Sequence, residues 1–209
     1  LEQHWAVLEG QYHLRWWPVT SLRTRGYPYQ LAPARGVLNH GLWSGAPDWD
    51  AVEQMAQGYK SNTCDLEEGY ETQLVPPGMY STMCIMNVAF RREVAQFMYM
   101  PIMPEGMKRW DDIWCGIIFK RIADQNGWAV TSGRPMVRHD RASTILGNLR
   151  QEFLGYGINE ELWKVIDEIA PSDRTGMETY LDISEALEGA FPQLVKTAEA
   201  MRVWAALWE

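Results

Sequence analysis

The chain has 209 residues, of which 46% are hydrophobic and 22% are charged, in proportions typical of a soluble globular protein. Its formal net charge of −8 argues against nonspecific binding to nucleic acid or to an anionic membrane, because both attract excess Lys and Arg. No apolar run approaches the roughly 20 residues that a membrane-spanning helix needs. Nucleic acid is therefore expected only as an acceptor, and no membrane insertion is expected.

The three cysteines are an odd number and have no close pairing in the sequence: they are Cys64, Cys84 and Cys115. A disulfide framework is not expected from this pattern, and the prediction is a reducing cytoplasm. The first residue is Leu1 rather than methionine, and no signal peptide follows it. The sequence therefore predicts an internal starting point within a longer protein.

The first half of the chain predicts loops and short elements. Residues 10–48 are rich in Gly, Pro, Arg and aromatic residues and predict a long structured loop. A short helix is predicted over residues 50–60, capped by Asp48 or Asp50. Residues 71–75 and 83–90 predict strands on either side of a Pro-Pro-Gly turn, and residues 91–100 predict a helix.

The second half becomes increasingly helical. Residues 111–125 have apolar side chains at helical spacing. Residues 128–131 and 135–139 predict two short strands, and a mostly helical region begins at residue 148, with breaks near Pro171 and Pro192. We predict one α/β domain over residues 1–209, mixed α/β in residues 1–147 and mainly helical in residues 148–209.

Asp111 and Asp112 stand at the predicted start of a helix, between Trp110 and Trp114. Adjacent carboxylates there can hold a metal, orient sugar hydroxyls or stabilise an oxocarbenium-like centre, and tryptophan faces suit sugar rings. The alternative is that the two acids only complement the helix dipole.

A second candidate group follows the strand predicted over residues 135–139. His139 stands between arginines and next to Asp140, so it could ligate a metal while Arg138 and Arg141 bind a diphosphate. The alternative is a solvated loop with local ion pairs.

Two further patterns lie in the predicted loop region. Arg25 and His40 each stand next to glycine, in turns that could present charge or exchange a proton, or that could be purely structural. The run from Asp48 to Asp50 matches the short Asp-x-Asp metal signature of glycosyltransferases. Because helix capping also explains it, we do not assign the metal to it.

Taken together and in order, these blocks resemble the reversibly glycosylated polypeptide, or UDP-arabinopyranose mutase, family. The resemblance spans roughly residues 1–165 and rests on LEQH at 1–4, RGYP at 25–28, HGLW at 40–43, PDWDA at 47–51, MCIMNVAF at 83–90, RWDDIW at 109–114 and HDRAS at 139–143. Ile85 replaces a family glycine and Arg141 a family lysine. The family's acidic metal motif would lie upstream of Leu1.

The resemblance implies an α/β fold of the GT-A type, of which this chain would be the acceptor-side, carboxy-terminal portion with a helical tail. The family interconverts UDP-arabinopyranose and UDP-arabinofuranose with Mn²⁺ or Mg²⁺, and its members become reversibly glycosylated on an arginine. A UDP-sugar is therefore the expected partner, and the resemblance leaves a homo-oligomer open. Two alternatives are a glycosyltransferase with a separate acceptor and a non-catalytic interaction module.

The resemblance also implies roles for individual residues. Arg25 matches the glycosylated arginine, and Asp111 and Asp112 match the acidic pair beside the sugar. His139 is the expected metal ligand. The expected substrate-binding residues are Arg141, Asn87, His40 and Trp114.

Overall fold

The computed structural model describes residues 11–16, 30–46, 48–57, 72–140, 144–169 and 175–208. In these ranges the strands are β1 (Gln11–Trp16), β2 (Gln30–Gly45), β3 (Gln73–Leu74), β4 (Val88–Phe90) and β5 (Trp128–His139). The α-helices are α1 (Ala51–Gln57), α2 (Asp111–Gln125), α3 (Ile145–Asp167), α4 (Gly176–Ala190) and α5 (Val195–Ala205). Short 3₁₀ segments span Ile85–Asn87, Arg92–Phe97 and Pro192–Leu194. The predicted mixed α/β class is confirmed.

The strands form one mixed sheet in which β2 is central. β2 pairs antiparallel with β1 and with β4, and parallel with β5, which in turn pairs antiparallel with β3. Along the parallel pair, Arg35 lies opposite Trp128 and Gly45 lies opposite His139. The carboxyl ends of β2 and β5 therefore meet at one edge, where the chain leaves β2 toward α1.

A single large apolar cluster joins the sheet to the helices. Ile118 and Ile122 of α2 are almost fully buried in it, together with Leu38 of β2. From the other side, Leu162 of α3 and Ile183 of α4 complete the cluster. Burying each such side chain stabilises the fold by about 1.5–3 kcal/mol, so packing of α2 between sheet and helices holds the molecule together.

One glycine lets α2 approach the chain segment before the first 3₁₀ turn. A Cβ atom on Gly116 would lie 2.6 Å from the backbone nitrogen of Met83 and 2.8 Å from the carbonyl oxygen of Ser81. Backbone atoms cannot give way cheaply, so this contact requires glycine. The close approach brings residues 84 and 85 beside the first turn of α2.

The structure corrects the predicted loop over residues 10–48. Within it, β1 and β2 are strands, and β2 has 16 residues with register shifts at Gly36/Leu38 and Gly41/Trp43. The glycines and register shifts of β2 interrupt the alternation of apolar and polar residues by which a strand is predicted from sequence. The strand forms because it pairs with neighbours on both edges rather than because of its local propensity.

Other predicted boundaries change in smaller ways. The only strand within residues 83–90 is β4, which follows the 3₁₀ segment Ile85–Asn87. Within residues 91–100, Arg92–Phe97 form a 3₁₀ segment rather than an α-helix. The two strands predicted over residues 128–139 are the single strand β5, and the helix predicted from residue 148 begins at Ile145. The helix predicted over residues 111–125 is confirmed as α2.

The cap predicted for the short helix is confirmed at Asp50. Its carboxylate accepts from the backbone N–H groups of Val52 at 2.8 Å and Glu53 at 2.9 Å. In the part of the chain that the structure describes, no helix is both long enough and apolar enough to span a bilayer.

Candidate functional site

A cavity of about 530 Å³ opens where the end of β2, the loop before α1, the start of α2 and the middle of α3 meet. Ligand cavities of about 300–1,000 Å³ are typical of small-molecule sites, so this one can hold a sugar ring with room for part of its substituents. Its walls come from segments far apart in sequence, which the fold brings together.

The acidic pair forms one wall of the cavity. Asp111 and Asp112 occupy the first turn of α2, and both are half-buried. The carboxylate of Asp112 accepts from the backbone N–H of Ile113 at 2.9 Å and of Ile85 at 3.4 Å. Burial, together with the neighbouring charge of Asp111, raises the pKa of Asp112 to about 6. A carboxyl group with this pKa can both donate and accept a proton near neutral pH.

Aromatic and thiol groups from β2 and the segment after β3 form another part of the cavity wall. His40 and Trp43 lie edge to face, with ring centroids 6.4 Å apart, and both line the cavity. The backbone N–H of Cys84 donates to Nε2 of His40 at 3.1 Å, so a neutral His40 carries its proton on Nδ1. The Cys84 thiol lies 3.5 Å from Asp48, and burial raises its pKa to about 12.

A buried carboxylate from α3 ties three of the walls together. Glu152 is 2% exposed. Its carboxylate accepts from Nε of Arg109 at 2.6 Å, from the backbone N–H of Ala51 at 2.7 Å and from the hydroxyl of Tyr156 at 2.9 Å. Arg109 in turn reaches Asp48, with a nitrogen-to-oxygen distance of 3.5 Å. The guanidinium is thus held between two carboxylates.

The described lining of the cavity is strongly acidic. Its carboxylates belong to Asp48, Asp50, Asp111, Asp112, Glu152 and Glu160. Its two basic side chains are already in ion pairs, Lys108 with Glu105 at 2.7 Å and Arg109 with Glu152 at 2.6 Å. Such a lining repels a diphosphate and favours a neutral ligand or one that develops positive charge.

The structure brings together some of the residues predicted from sequence. Asp111, Asp112 and His40 all line the cavity. Trp114 is 1% exposed in the core, with its indole N–H 3.1 Å from the amide oxygen of Asn159.

Of the other predicted substrate-binding and catalytic residues, one is described and two lie outside the described ranges. Asn87 is 3% exposed and is not part of that lining. Arg25 and Arg141 lie outside the described residues, so their roles stay predictions.

His139 lies at the end of β5, next to the chain that leaves β2. Its Nδ1 atom lies 2.9 Å from the backbone oxygen of Ala46. Within the described ranges, no three His, Cys, Asp or Glu side chains converge in a way that could hold a metal ion. The described residues therefore do not form a metal site by themselves, and His139 as a ligand stays a prediction that needs partners from elsewhere.

Sequence reasoning missed the contribution of α3. Glu152, Tyr156, Asn159 and Glu160 follow one another at positions i, i+4, i+7 and i+8, and all line the cavity. This spacing places them on one side of a helix. A polar stripe that includes a tyrosine, on a partly apolar helix, is the sequence signal that could indicate their role in the site. The sequence prediction of a helical tail over residues 148–209 does not include this contribution to the site.

Comparison with known proteins identifies the family of the chain. Residues 20–209 match the sequence profile of the family described as "Reversibly glycosylated polypeptide". "Probable UDP-arabinopyranose mutase 4" of Arabidopsis thaliana is 34% identical over 195 residues, which cover 88% of this chain and 53% of the relative.

Two further relatives have similar coverage. "UDP-arabinopyranose mutase 3" of Arabidopsis thaliana and "UDP-arabinopyranose mutase 1" of Oryza sativa subsp. japonica are each 32% identical over 195 residues, covering 88% of this chain and 53% of each relative. The chain thus spans about half the length of these relatives. It belongs to the reversibly glycosylated polypeptide family.

Proposed function

We propose that the protein containing this chain interconverts UDP-arabinopyranose and UDP-arabinofuranose, or a related pair of UDP-sugars. The observation that carries the proposal is the position of Asp111 and Asp112 in the wall of a sugar-sized cavity. The names of the similar plant proteins, which are UDP-arabinopyranose mutases, supply the substrate class.

The charge of the cavity supports binding of the sugar there and of the diphosphate elsewhere. Six carboxylates and two paired basic side chains line it, so a diphosphate would lose more by repulsion than it gains from Lys108 and Arg109. When the bond between the anomeric carbon and UDP breaks, UDP takes the electron pair and positive charge develops on the sugar. Asp111 and Asp112 would stabilise that charge.

Ring interconversion also needs proton transfer. The hydroxyl group that closes the new ring bonds to the anomeric carbon and loses its proton. The bond from that carbon to the old ring oxygen breaks, this oxygen gains a proton, and UDP re-forms its bond to the anomeric carbon. Asp112 suits both tasks, because its pKa of about 6 lets it hold or release a proton near neutral pH. His40 lines the same cavity as a second candidate for proton transfer.

The nucleotide part of the substrate needs residues beyond the described cavity. We propose that this chain is the carboxy-terminal, acceptor-side portion of a GT-A-like protein, and that the other half binds the nucleotide. Its span of about half the relatives' length supports this. A divalent cation stays a prediction of the family resemblance. Calorimetry of UDP binding to the full-length protein, with and without EDTA, tests it, and equal affinities would contradict it.

Product analysis tests the proposed reaction. The full-length protein is incubated with UDP-arabinopyranose, and the nucleotide products are separated by chromatography. A mutase returns UDP-arabinofuranose with no net release of UDP. Stoichiometric release of UDP with a glycosylated product would indicate a transferase instead. The absence of any turnover, despite UDP-sugar binding, would favour a non-catalytic module.

A further inference from the structure

The carboxylate of Glu152 is more completely buried than any other acid in the cavity wall, and no step proposed above uses it. It is 2% exposed and receives three hydrogen bonds, from Arg109, from the first residue of α1 and from Tyr156. A buried carboxylate is costly unless such partners compensate it. The buried carboxylate therefore requires its three hydrogen-bond donors to stay in place, and it fixes their positions in turn.

Two of the partners of Glu152 belong to elements other than α3. Arg109 stands two residues before Asp111, in the chain that leads into α2. Ala51 begins α1, directly after Asp48, Trp49 and Asp50. One carboxylate thus fixes the approach to α2 and the start of α1 relative to α3.

Arg109 carries this restraint further. It also approaches Asp48 at 3.5 Å, and Asp48 lies 3.5 Å from the thiol of Cys84. The connected chain of contacts runs from α3, across Arg109, to the wall that contains Cys84. Of these contacts, the hydrogen bond of 2.6 Å from Arg109 to Glu152 has the short length of a strong charge-assisted bond, so it defines the position of Arg109.

We propose that Glu152 is a positioning residue: through Arg109 and the first turn of α1, it holds the acidic pair and the 48–50 loop in the geometry that turnover requires. The expected effect of Glu152 on turnover rests on the proposed function, whereas its expected effect on the cavity walls does not. The three hydrogen bonds that the Glu152 carboxylate accepts all come from the protein, so its loss should lower kcat through the groups that it positions while leaving UDP affinity unchanged.

A second, half-buried carboxylate, paired with a buried lysine, offers a control. Asp124 in α2 pairs with Lys120, which is 1% exposed, and accepts from the backbone N–H of Gly78 at 2.9 Å. Neither Asp124 nor Lys120 lines the described cavity. Asp124→Asn makes the same chemical change as Glu152→Gln, carboxylate to amide, in a buried ion pair away from the cavity.

Two readouts test the proposal on the full-length protein. The first is kcat and KM for UDP-arabinopyranose, with UDP affinity from calorimetry. We expect Glu152→Gln to lower kcat about tenfold to a hundredfold, with UDP affinity within about twofold of wild type, because misplacing catalytic groups by about 1 Å can cost that much. Asp124→Asn should keep kcat within about twofold of wild type, even if its melting temperature falls as far as that of Glu152→Gln.

The second readout needs no substrate. It is the alkylation rate of Cys84, followed by peptide mass spectrometry, since this thiol lies at the far end of the contact chain from Glu152. We expect Glu152→Gln to raise that rate at least about fivefold and Asp124→Asn to leave it unchanged. If Glu152→Gln folds poorly, Arg109→Lys replaces it, because the planar fork that joins Glu152 to Asp48 is then lost while the charge remains.

The outcomes separate the two proposals. If wild type fails to convert the UDP-sugar but Cys84 responds as expected, the proposed function fails and the positioning role stands. If wild type turns over and Glu152→Gln keeps its kcat, the positioning role is overturned. It is also overturned if kcat in both carboxylate variants falls only in proportion to the fall in melting temperature. A third contradicting result would be a double variant, Glu152→Gln with Arg109→Lys, whose loss of kcat equals the sum of the two single effects in free energy, since groups in one contact chain should be coupled.

Discussion

At the residue scale, the surroundings of Asp112 disfavour the charged carboxylate that the proposed reaction requires. Its carboxyl group is half-buried, and the adjacent charge of Asp111 disfavours a second negative charge. Two backbone N–H groups, of Ile85 and Ile113, partly compensate the charged form. The net effect is a pKa of about 6, so at neutral pH the protein holds a carboxylate that its surroundings disfavour. Conflicts of this kind are common at functional sites.

The conflict predicts a stability change with a definite pH dependence. Because the pKa of Asp112 in the folded protein, about 6, lies above its ordinary value of 3.8, the stability contributed by the protonated group is fully present below 3.8. It is lost as the pH rises through 6. Asp112→Asn cannot ionise, so we expect the variant to exceed wild type in free energy of unfolding at pH 8 by about 1–2 kcal/mol, after allowance for solvent screening.

Urea unfolding at pH 4 and pH 8 measures this difference. The gain should shrink toward zero at pH 4, where wild-type Asp112 is protonated too. Asp140→Asn is the control, since that carboxylate is exposed and paired with Arg138 at the surface. A variant that is no more stable than wild type at pH 8 would show that the Asp112 charge is well compensated.

At the element scale, α3 connects the core to the cavity. In its carboxy-terminal half, Leu162 and Ile166 are buried in the core. In its amino-terminal half, Glu152 and Tyr156 line the cavity, where the Tyr156 ring packs edge to face on Trp110 with centroids 5.2 Å apart. The helix is therefore both a structural support and a wall of the site.

Two glycines in α3 give a test of this packing. A Cβ atom on Gly155 would lie 2.1 Å from the indole nitrogen of Trp110, which donates to the backbone oxygen of Glu152 at 2.9 Å. We expect Gly155→Ala to cost about 1–3 kcal/mol through overpacking and loss of this hydrogen bond. Gly157 has nothing within 4 Å of the same position, so Gly157→Ala should stabilise by about 0.5–1 kcal/mol.

Thermal or urea unfolding of the two variants gives the comparison directly. Opposite signs at positions two residues apart are expected only if α3 packs on Trp110 as described. If the two substitutions changed stability by the same amount and sign, the helix would not approach Trp110 at Gly155.

How far the sequence predicts these elements depends on where each element's stability comes from. The helix over residues 111–125 was predictable, because its apolar spacing and its two leading carboxylates are local signals. The long strand β2 was not, because glycines and register shifts obscure its alternation and its stability depends on neighbouring strands.

The site divides in the same way. Asp111, Asp112 and His40 lie in short recognisable motifs, so the sequence alone predicts them. It does not predict Glu152, because the importance of this residue arises from contacts with Arg109 and Ala51, 43 and 101 residues away in sequence. A buried acid in an amphipathic helix resembles any other helical glutamate until its partners are known.

At the scale of the whole molecule, the chain supplies an acidic, sugar-sized cavity and spans about half the length of its relatives. In the proposed division of labour, the nucleotide is bound by other parts of the protein, and the sugar reaches the cavity. The two halves of the substrate should then respond to different substitutions. Substitutions at Asp111 and Asp112 should lower the rate at which the sugar reacts without changing the affinity for UDP.

The most direct measurement compares kcat for UDP-arabinopyranose with calorimetric affinity for UDP in the full-length protein, in wild type, Asp111→Asn and Asp112→Asn. We expect each substitution to lower kcat about a hundredfold or more, as loss of one electrostatic contact to a developing charge typically does, while the Kd for UDP changes less than about threefold. Near wild-type turnover in both variants would reduce the acidic pair to a helix cap. A loss of UDP affinity that matched the loss of turnover would put the diphosphate, and not the sugar, in this cavity.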